Sequence, residues 1–250
     1  MNDKTVLITG ASSGIGWATA EKFAAAGYAL VLCGRRKEKL EELVKKLNVP
    51  THILVFDVAD KAAVFNAIDQ LPAPFQKIDI LINNAGNAHG MDPVQTAALE
   101  DWEAMMDSNV KGLMYVTKAI LPQMVARKGG HIINLGSTAG KEVYPNGSVY
   151  CASKFAVDAF TKGLRIDLNP FEIKVGAINP GLVHTEFSKV RFKGDLQRAE
   201  KVYAGMQPLM ASDVADAIFY MASAPAHVNI ADLVLLPTHQ ANSYVAKRNL

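Results

Sequence analysis

Three residues near the middle of the chain could do acid–base chemistry together. A strand-like run, Ile132-Ile133-Asn134-Leu135, leads into Gly136-Ser137, and Tyr150-Cys151-Ala152-Ser153-Lys154 follows shortly after. Tyr150 and Lys154 are four apart, so on a helix they share a face. A free tyrosine, with a pKa of about 10, is a poor base at neutral pH. An ammonium one turn away favours the phenolate and lowers that value. The tyrosine could then exchange a proton with a substrate oxygen that the Ser137 hydroxyl holds. Alone, Tyr-x-x-x-Lys is more often an ordinary amphipathic pair, so the surroundings decide.

Those surroundings read as a nucleotide site. The first strand-like run ends in Thr9-Gly10-Ala11-Ser12-Ser13-Gly14-Ile15-Gly16, and a helical pattern follows. Glycines between a strand and a helix let backbone approach a pyrophosphate at the helix N-terminus, where N–H groups and the dipole favour an anion. The spacing is G-x-x-x-G-x-G rather than G-x-G-x-x-G. The second strand ends in Cys33-Gly34-Arg35-Arg36. A carboxylate at that place would bond the ribose 2′-OH of NAD, whereas arginine accommodates the 2′-phosphate of NADP through its planar fork. Two guanidiniums and no carboxylate favour NADP(H). Asp57 and Val58 close the third strand, where Asp57 could bond an adenine amine. Asn83-Asn84-Ala85-Gly86 closes the fourth and could brace the sheet beside the cofactor. Each of these is also what a cap or a tight turn prefers. His89 and Met91, just beyond, could line the pocket or lie on a surface loop.

The elements that must position these residues alternate. Apolar runs at 6–9, 29–33, 52–56, 78–82, 130–135, 173–178 and 234–236 read as strands, and patterns at 14–26, 36–48, 60–70, 96–108, 111–127 and 150–168 read as helices. Continuous apolar strands separated by helices predict a parallel sheet covered on both faces. The fold class is therefore α/β, a doubly wound Rossmann-type sheet in one domain over 1–250. The stretch 180–210 breaks the alternation with no obvious strand. Long segments of that kind are often lids, and 184–210 is the expected one.

Composition excludes several alternatives. Among 250 residues half are apolar and 20% charged, enough to build a core. Lys+Arg number 26 against 24 Asp+Glu, a net +2, which gives no reason to expect nucleic acid or an anionic membrane. Cys33 and Cys151 make no disulfide framework, neither has a partner at metal-ligand spacing, and no metal is expected. No apolar stretch approaches the ~20 residues of a membrane span. Met1-Asn2-Asp3-Lys4 runs into the first strand without an apolar leader. A cytoplasmic protein is the expectation.

Together these segments resemble the short-chain dehydrogenase/reductase family over nearly the whole chain. Thr9-Gly10-x-x-x-Gly14-x-Gly16 is similar to its cofactor loop and Asn83-Asn84-Ala85-Gly86 to its sheet-bracing motif. Asn109, in Asn109-Val110-Lys111-Gly112, falls at its catalytic asparagine, and Ser137, Tyr150 and Lys154 fall at its catalytic spacing. Pro180-Gly181 resembles the turn that meets the nicotinamide, with Val183 and Thr185 following. The resemblance implies that Tyr150 donates and accepts the proton and that Lys154 lowers its pKa and binds the nicotinamide ribose. It further implies that Ser137 positions the carbonyl, and that Asn109 holds a water linking Lys154 to solvent. The cofactor carries the hydride. Family members are commonly homotetramers that pair the helices corresponding to 111–127 and 150–168.

A narrower resemblance, in residues 131–140, 185–195 and 225–230, is to bacterial NADP-dependent 3-hydroxy acid dehydrogenases, also described as serine or L-allo-threonine dehydrogenases. It implies oxidation of small 3-hydroxy acids, such as 3-hydroxyisobutyrate or 3-hydroxypropionate, to their oxo or semialdehyde forms. The loop 181–185 is one residue shorter than in such relatives, and His184 is unusual there. A hydroxy acid needs a partner for its carboxylate. Arg191, alone in an apolar, glycine-flanked loop, is the candidate substrate residue beside Ser137 and Tyr150; a structural or interface arginine is the other reading. Cys151 is expected to point away from Tyr150 as a packed thiol, His184 to touch substrate or cofactor, and His131 to be structural. The alternatives are a broad ketone or aldehyde reductase, a 3-oxoacyl-thioester reductase, and a non-catalytic NADP-binding regulator. The ending Leu233-Val234-Leu235-Leu236-Pro237-Thr238 lacks the glycines usual in the second of these, and the retained tyrosine and lysine count against the third.

Overall fold

A computed structural model describes residues 3–249; Met1 and Asn2, placed ahead of the first strand by the sequence, and Leu250 lie outside them. The elements run β1 (Thr5–Thr9), α1 (Gly14–Ala25), β2 (Ala29–Gly34), α2 (Lys37–Val44), β3 (Thr51–Val55), α3 (Lys61–Asp69) and β4 (Ile80–Asn83). Then come α4 (Leu99–Met106), a π-helical stretch (Asp107–Gly112), α5 (Leu113–Ala126), β5 (Gly130–Leu135), α6 (Ser148–Leu168) and β6 (Ile173–Pro180). The chain continues through β7 (Val183–His184), α7 (Phe187–Arg191), α8 (Leu196–Lys201), β8 (Leu209–Met210), α9 (Ala211–Ser223) and β9 (Asp232–Leu235). Seven strands form one parallel sheet, as the sequence implied, in the order β3-β2-β1-β4-β5-β6-β9.

The apolar strands are continuous because both faces are covered. Successive side chains point to opposite faces. Val6, Ile8, Leu30, Leu32, Ile80 and Ile82 meet one core, with Phe23 of α1, Leu40 and Leu43 of α2, and Val214, Ile218 and Met221 of α9. Leu7, Val31, Cys33, Leu81 and Ile132 meet the other, with Val64 of α3, Val116, Ile120 and Met124 of α5, and Leu164 and Leu168 of α6. Toward the C-terminal end of β4 and β5 the second core turns polar. Asn83 Nδ2 donates to Thr117 Oγ1 and to Asn134 Oδ1, both at 2.9 Å, and Asn134 Nδ2 donates to Thr161 Oγ1 at 2.8 Å. This buried ladder registers α5 and α6 on the strands that carry the candidate active site.

Three features differ from expectation. The segment 180–210 is not strandless: β6 runs to Pro180, β7 and β8 pair as a second, two-stranded parallel sheet, and α7 and α8 lie between them. These elements are too short for sequence periodicity to register. Helix α9 was not read from the sequence, although Val214, Ile218 and Met221 recur at helical spacing. The helices at 96–108 and 111–127 are one continuous rod, because the π-helical stretch carries the backbone from α4 into α5 without a break. Element ends otherwise shift by a few residues, as where Asp60 caps α3 through Ala63 N at 3.0 Å.

His131, at the start of β5, is 3% exposed, and neither ring nitrogen has a hydrogen-bond partner among the described residues. Burial, with Lys174 and Lys4 adding to it, holds its pKa at about 3. An unfolded chain would titrate it near 6.5. Below that pH the unfolded state binds a proton that the folded state refuses, so stability falls as pH drops from 6.5 toward 3, by up to about 1.4 kcal/mol per pH unit. His131→Leu should flatten that slope. Urea midpoints at pH 7 and pH 5 for both proteins measure it.

Candidate active site

The strand order reverses between β1 and β4, and in open α/β sheets ligands bind in the crevice outside the strand ends at such a point. The two strands are joined there by a short polar weld. Asn84 Nδ2 donates to Thr9 O at 2.8 Å and to Gly10 O at 3.2 Å. Thr9 Oγ1 accepts from Asn84 N at 3.0 Å and from Ala85 N at 2.9 Å. The glycines of the first loop make room for it. Gly10 has φ +66°, and a Cβ there would lie 2.9 Å from both Ala85 Cα and Asn84 Nδ2. A Cβ on Gly16 would lie 2.4 Å from Gly10 O. Ser13 caps α1 without a side-chain bond, leaving the helix N–H groups facing the loop.

One long cavity runs along these strand ends. At one end it is lined by Ser12, Ser13, Gly14, Ile15, Arg35, Arg36, Asp57 and Val58, in the middle by Gly10, Asn84, Ala85 and Gly86, and at the other end by Ser137, Tyr150, Lys154, Pro180, Gly181, Val183, Thr185 and Arg191. Most residues singled out from sequence thus converge on one crevice, and two of the others stand behind its wall. Gly16 lies beneath the loop. Asn109, 1% exposed, sits in the π-helical stretch. Its Nδ2 donates to Asn87 O at 2.9 Å and to Ser153 Oγ at 3.1 Å, while its Oδ1 accepts from Asn87 N at 2.8 Å. Ser153 Oγ donates onward to Tyr150 O at 2.7 Å. Asn109 therefore ties the turn after β4 to the first turn of α6.

The arrangement fits a dinucleotide. A cradle of glycine backbone, a free helix N-terminus and two arginines lie at one end, and a tyrosine, a serine and a lysine at the other. Ser137 is fixed at the end of β5: its N donates to Asn179 Oδ1 at 3.2 Å, and its Oγ accepts from Ala139 N at 3.1 Å. Lys154 Nζ donates to Leu135 O at 2.9 Å and lies 5.9 Å from the centroid of the Tyr150 ring. Burial lowers the Lys154 pKa to about 8. Burial also raises that of Tyr150, with Tyr144 adding to the rise and a hydrogen bond to Ser137 pulling the other way. The lowering expected of Lys154 has no part in this balance. In the protein alone, burial outweighs the pull of Ser137 and of Arg191, the cation acting on the tyrosine.

Several residues reach the site without a sequence signal. Phe187 meets the Tyr150 ring edge-on at 5.7 Å. Tyr144 and Tyr203 line the cavity, and so do residues of the C-terminal segment, Gln240 to Arg248. That segment is tied across the mouth. Gln240 Oε1 accepts from Leu182 N at 2.8 Å, Ser243 N donates to Glu142 Oε2 at 3.1 Å, and Arg248 donates to Ala204 O at 2.8 Å and Val202 O at 3.0 Å. Met91 lines the main cavity, and His89 a small pocket beside it that also touches Tyr150 and Arg191. His184 does not line the cavity, contrary to expectation. Its ring meets Tyr203 edge-on at 4.8 Å, with Glu200 3.6 Å away. Cys151 is buried, and burial raises its pKa.

The family model described as short chain dehydrogenase matches residues 4–195. The chain belongs to the short-chain dehydrogenase family. It is 47% identical over 237 residues to the NADP-dependent 3-hydroxy acid dehydrogenase YdfG of Escherichia coli (strain K12), covering 94% of this chain and 96% of the relative. It is also 47% identical over 244 residues to sulfoacetaldehyde reductase 2 of Chromohalobacter salexigens, covering 96% and 97%. Among solved structures, a serine dehydrogenase in its closed form complexed with NADP+ superposes with a TM-score of 0.94 at 45% identity, over 98% of this chain and 100% of that one.

Tyr150→Phe removes the one hydroxyl held against Ser137 while keeping the ring that Phe187 packs on. Turnover should fall by about 10²–10⁴-fold, the usual contribution of a positioned proton donor. A fluorescence titration should show NADP(H) binding unchanged.

Proposed function

We propose that this protein transfers a hydride between NADP(H) and a small 3-hydroxy acid, or the matching semialdehyde, with Tyr150 exchanging the proton. The family and the relatives support an NADP-dependent oxidoreductase acting on a CH–OH group. The substrate class rests on one observation. The Arg191 guanidinium lies 5.6 Å from the Tyr150 ring centroid and 5.5 Å from that of Tyr144, and its Nε donates to Gly90 O at 3.0 Å. A fixed cation beside the proton donor suits a substrate whose anion sits two bonds from its carbonyl carbon.

The placement supports the following roles. Ser137 holds the substrate oxygen, and Tyr150 Oη gives it a proton in reduction or takes one in oxidation. Lys154, buried with a pKa of about 8 and paired with no carboxylate among the described residues, supplies positive charge beside the phenolate. The resemblance supports ribose contacts for the same ammonium. Bound NADP(H) supplies the hydride, and its oxidised ring adds positive charge. Arg35 and Arg36 face the 2′-phosphate, and Thr185, Phe187 and Arg191 belong to a segment, 184–210, that covers the substrate. A homotetramer agrees with the exposed Met114 of α5 and the exposed Phe155 and Ile166 of α6.

A second reading has its own support. The sulfoacetaldehyde reductase is as similar to this chain as the 3-hydroxy acid dehydrogenase. A sulfonate one methylene from an aldehyde presents its charge where a malonic semialdehyde presents a carboxylate, and Arg191 would serve either. Initial rates with NADP and L-serine, L-allo-threonine, 3-hydroxyisobutyrate, 3-hydroxypropionate, isethionate and a neutral secondary alcohol separate the readings, with NAD run in parallel. Arg191→Ala should raise KM for the anionic substrates about 10- to 100-fold, the equivalent of one charge-assisted hydrogen bond. It should leave KM for the neutral alcohol nearly unchanged. Equal effects on both would remove Arg191 from the substrate site.

A further inference from the structure

Two carboxylates stand against the two arginines that follow β2. Arg35 Nη1 lies 3.2 Å from Asp57 Oδ2, and Arg36 Nη1 lies 3.0 Å from Glu186 Oε2. The pairs differ in kind. Asp57 belongs to the loop after the neighbouring strand, and its other oxygen accepts from Ala59 N at 3.0 Å, so its own loop holds it. Glu186 comes from 150 residues along the chain. Among the described residues its carboxylate has no partner but Arg36. The rest of the Arg36 fork is spent on the glycine loop. Nε donates to Ser12 Oγ, and Nη2 to Ser12 O and Oγ, each at 3.3 Å. The guanidinium therefore lies against the loop, and its one outward N–H edge is taken by an anion.

That anion is of the wrong origin for a phosphate site. Arg36, Ser12 and Glu186 all line the cofactor end of the cavity. The side chains of Arg36 and Glu186 are 46% and 51% exposed, so the pair is screened by water and open to competition. A phosphate dianion offers the guanidinium a stronger, two-point contact than one carboxylate oxygen does.

The geometry points to Glu186 as an internal stand-in for the cofactor's 2′-phosphate. It occupies the Arg36 edge in the free protein, and the 2′-phosphate takes that edge by displacing it. This rests on the reading that Arg36 faces the 2′-phosphate. Glu186 is then a determinant of cofactor affinity that acts on NADP(H) and not on NAD(H), since only a 2′-phosphate competes with it. It also directly precedes α7, which carries Phe187 and Arg191 against Tyr150. The exchange of anions thus takes place at one end of the element whose other end meets the substrate.

The test uses 2′,5′-ADP and 5′-AMP as probes, titrated calorimetrically into the wild type, Glu186→Gln, Arg36→Gln and the double variant. Removing a negative charge beside a bound dianion should tighten 2′,5′-ADP about fivefold or more at low salt. The gain should shrink at high salt, and 5′-AMP should bind as before. The gain should also be smaller in the Arg36→Gln background. If the wild type prefers 2′,5′-ADP over 5′-AMP but Glu186→Gln leaves 2′,5′-ADP unchanged or weaker, the stand-in role is wrong and the arginine reading survives. If the wild type shows no such preference, the arginine reading fails and takes the inference with it.

Discussion

Asn84 spends its side-chain amide on the carbonyls of Thr9 and Gly10, and the rest of the crevice is arranged around that choice. The strands on its two sides lead away in opposite directions across the sheet, so their C-terminal ends are where the chain most needs a brace. The weld needs glycine at 10 and 16, because a side chain at either place would collide with Asn84 or with the carbonyl it holds. The glycine loop is usually explained by the ligand it admits. Here its shape is already required by the protein itself. The same turn runs on to Asn87, whose backbone pairs with Asn109, and Asn109 reaches Ser153 one residue from Lys154. A chain of short polar contacts thus connects the glycine loop to the helix turn that carries Tyr150 and Lys154.

The end of the crevice that holds Tyr150 and Lys154 is governed by dryness rather than by attraction between its members. Tyr150 and Lys154 are both buried, and burial disfavours the charged form of each. The tyrosine is held neutral and the lysine is brought close to losing its proton near neutrality. Such a pair is poised for chemistry that arrives with its own charge. Any charged group that enters the crevice changes the balance that the protein sets when alone.

Much of this was legible in the residues. Strand runs, the parallel sheet and the glycine loop follow from local pattern, because a doubly covered parallel sheet leaves a strong apolar signature. Arg35 and Arg36 could be placed by counting from the second strand. What could not be read depends on long-range packing. The sequence gives no sign that Glu186 meets Arg36, that His184 turns toward Tyr203, or that residues beyond 239 wall the cavity. The balance at the tyrosine was hidden for a related reason. Spacing shows that a lysine is near, but not how little water is left around either group. The segment 180–210 escaped because two-residue strands and helices of one or two turns carry no period to detect.

The segment from Gln240 to Arg248 forms an outer wall of the crevice. Its partners Leu182, Val202 and Ala204 all belong to the stretch between β6 and β8. The wall is therefore held by contacts separate from the Asn84 weld, so the crevice can lose its outer side while the glycine loop keeps its shape. Access to the crevice and the framing of its floor are independent properties, set by different stretches of the chain.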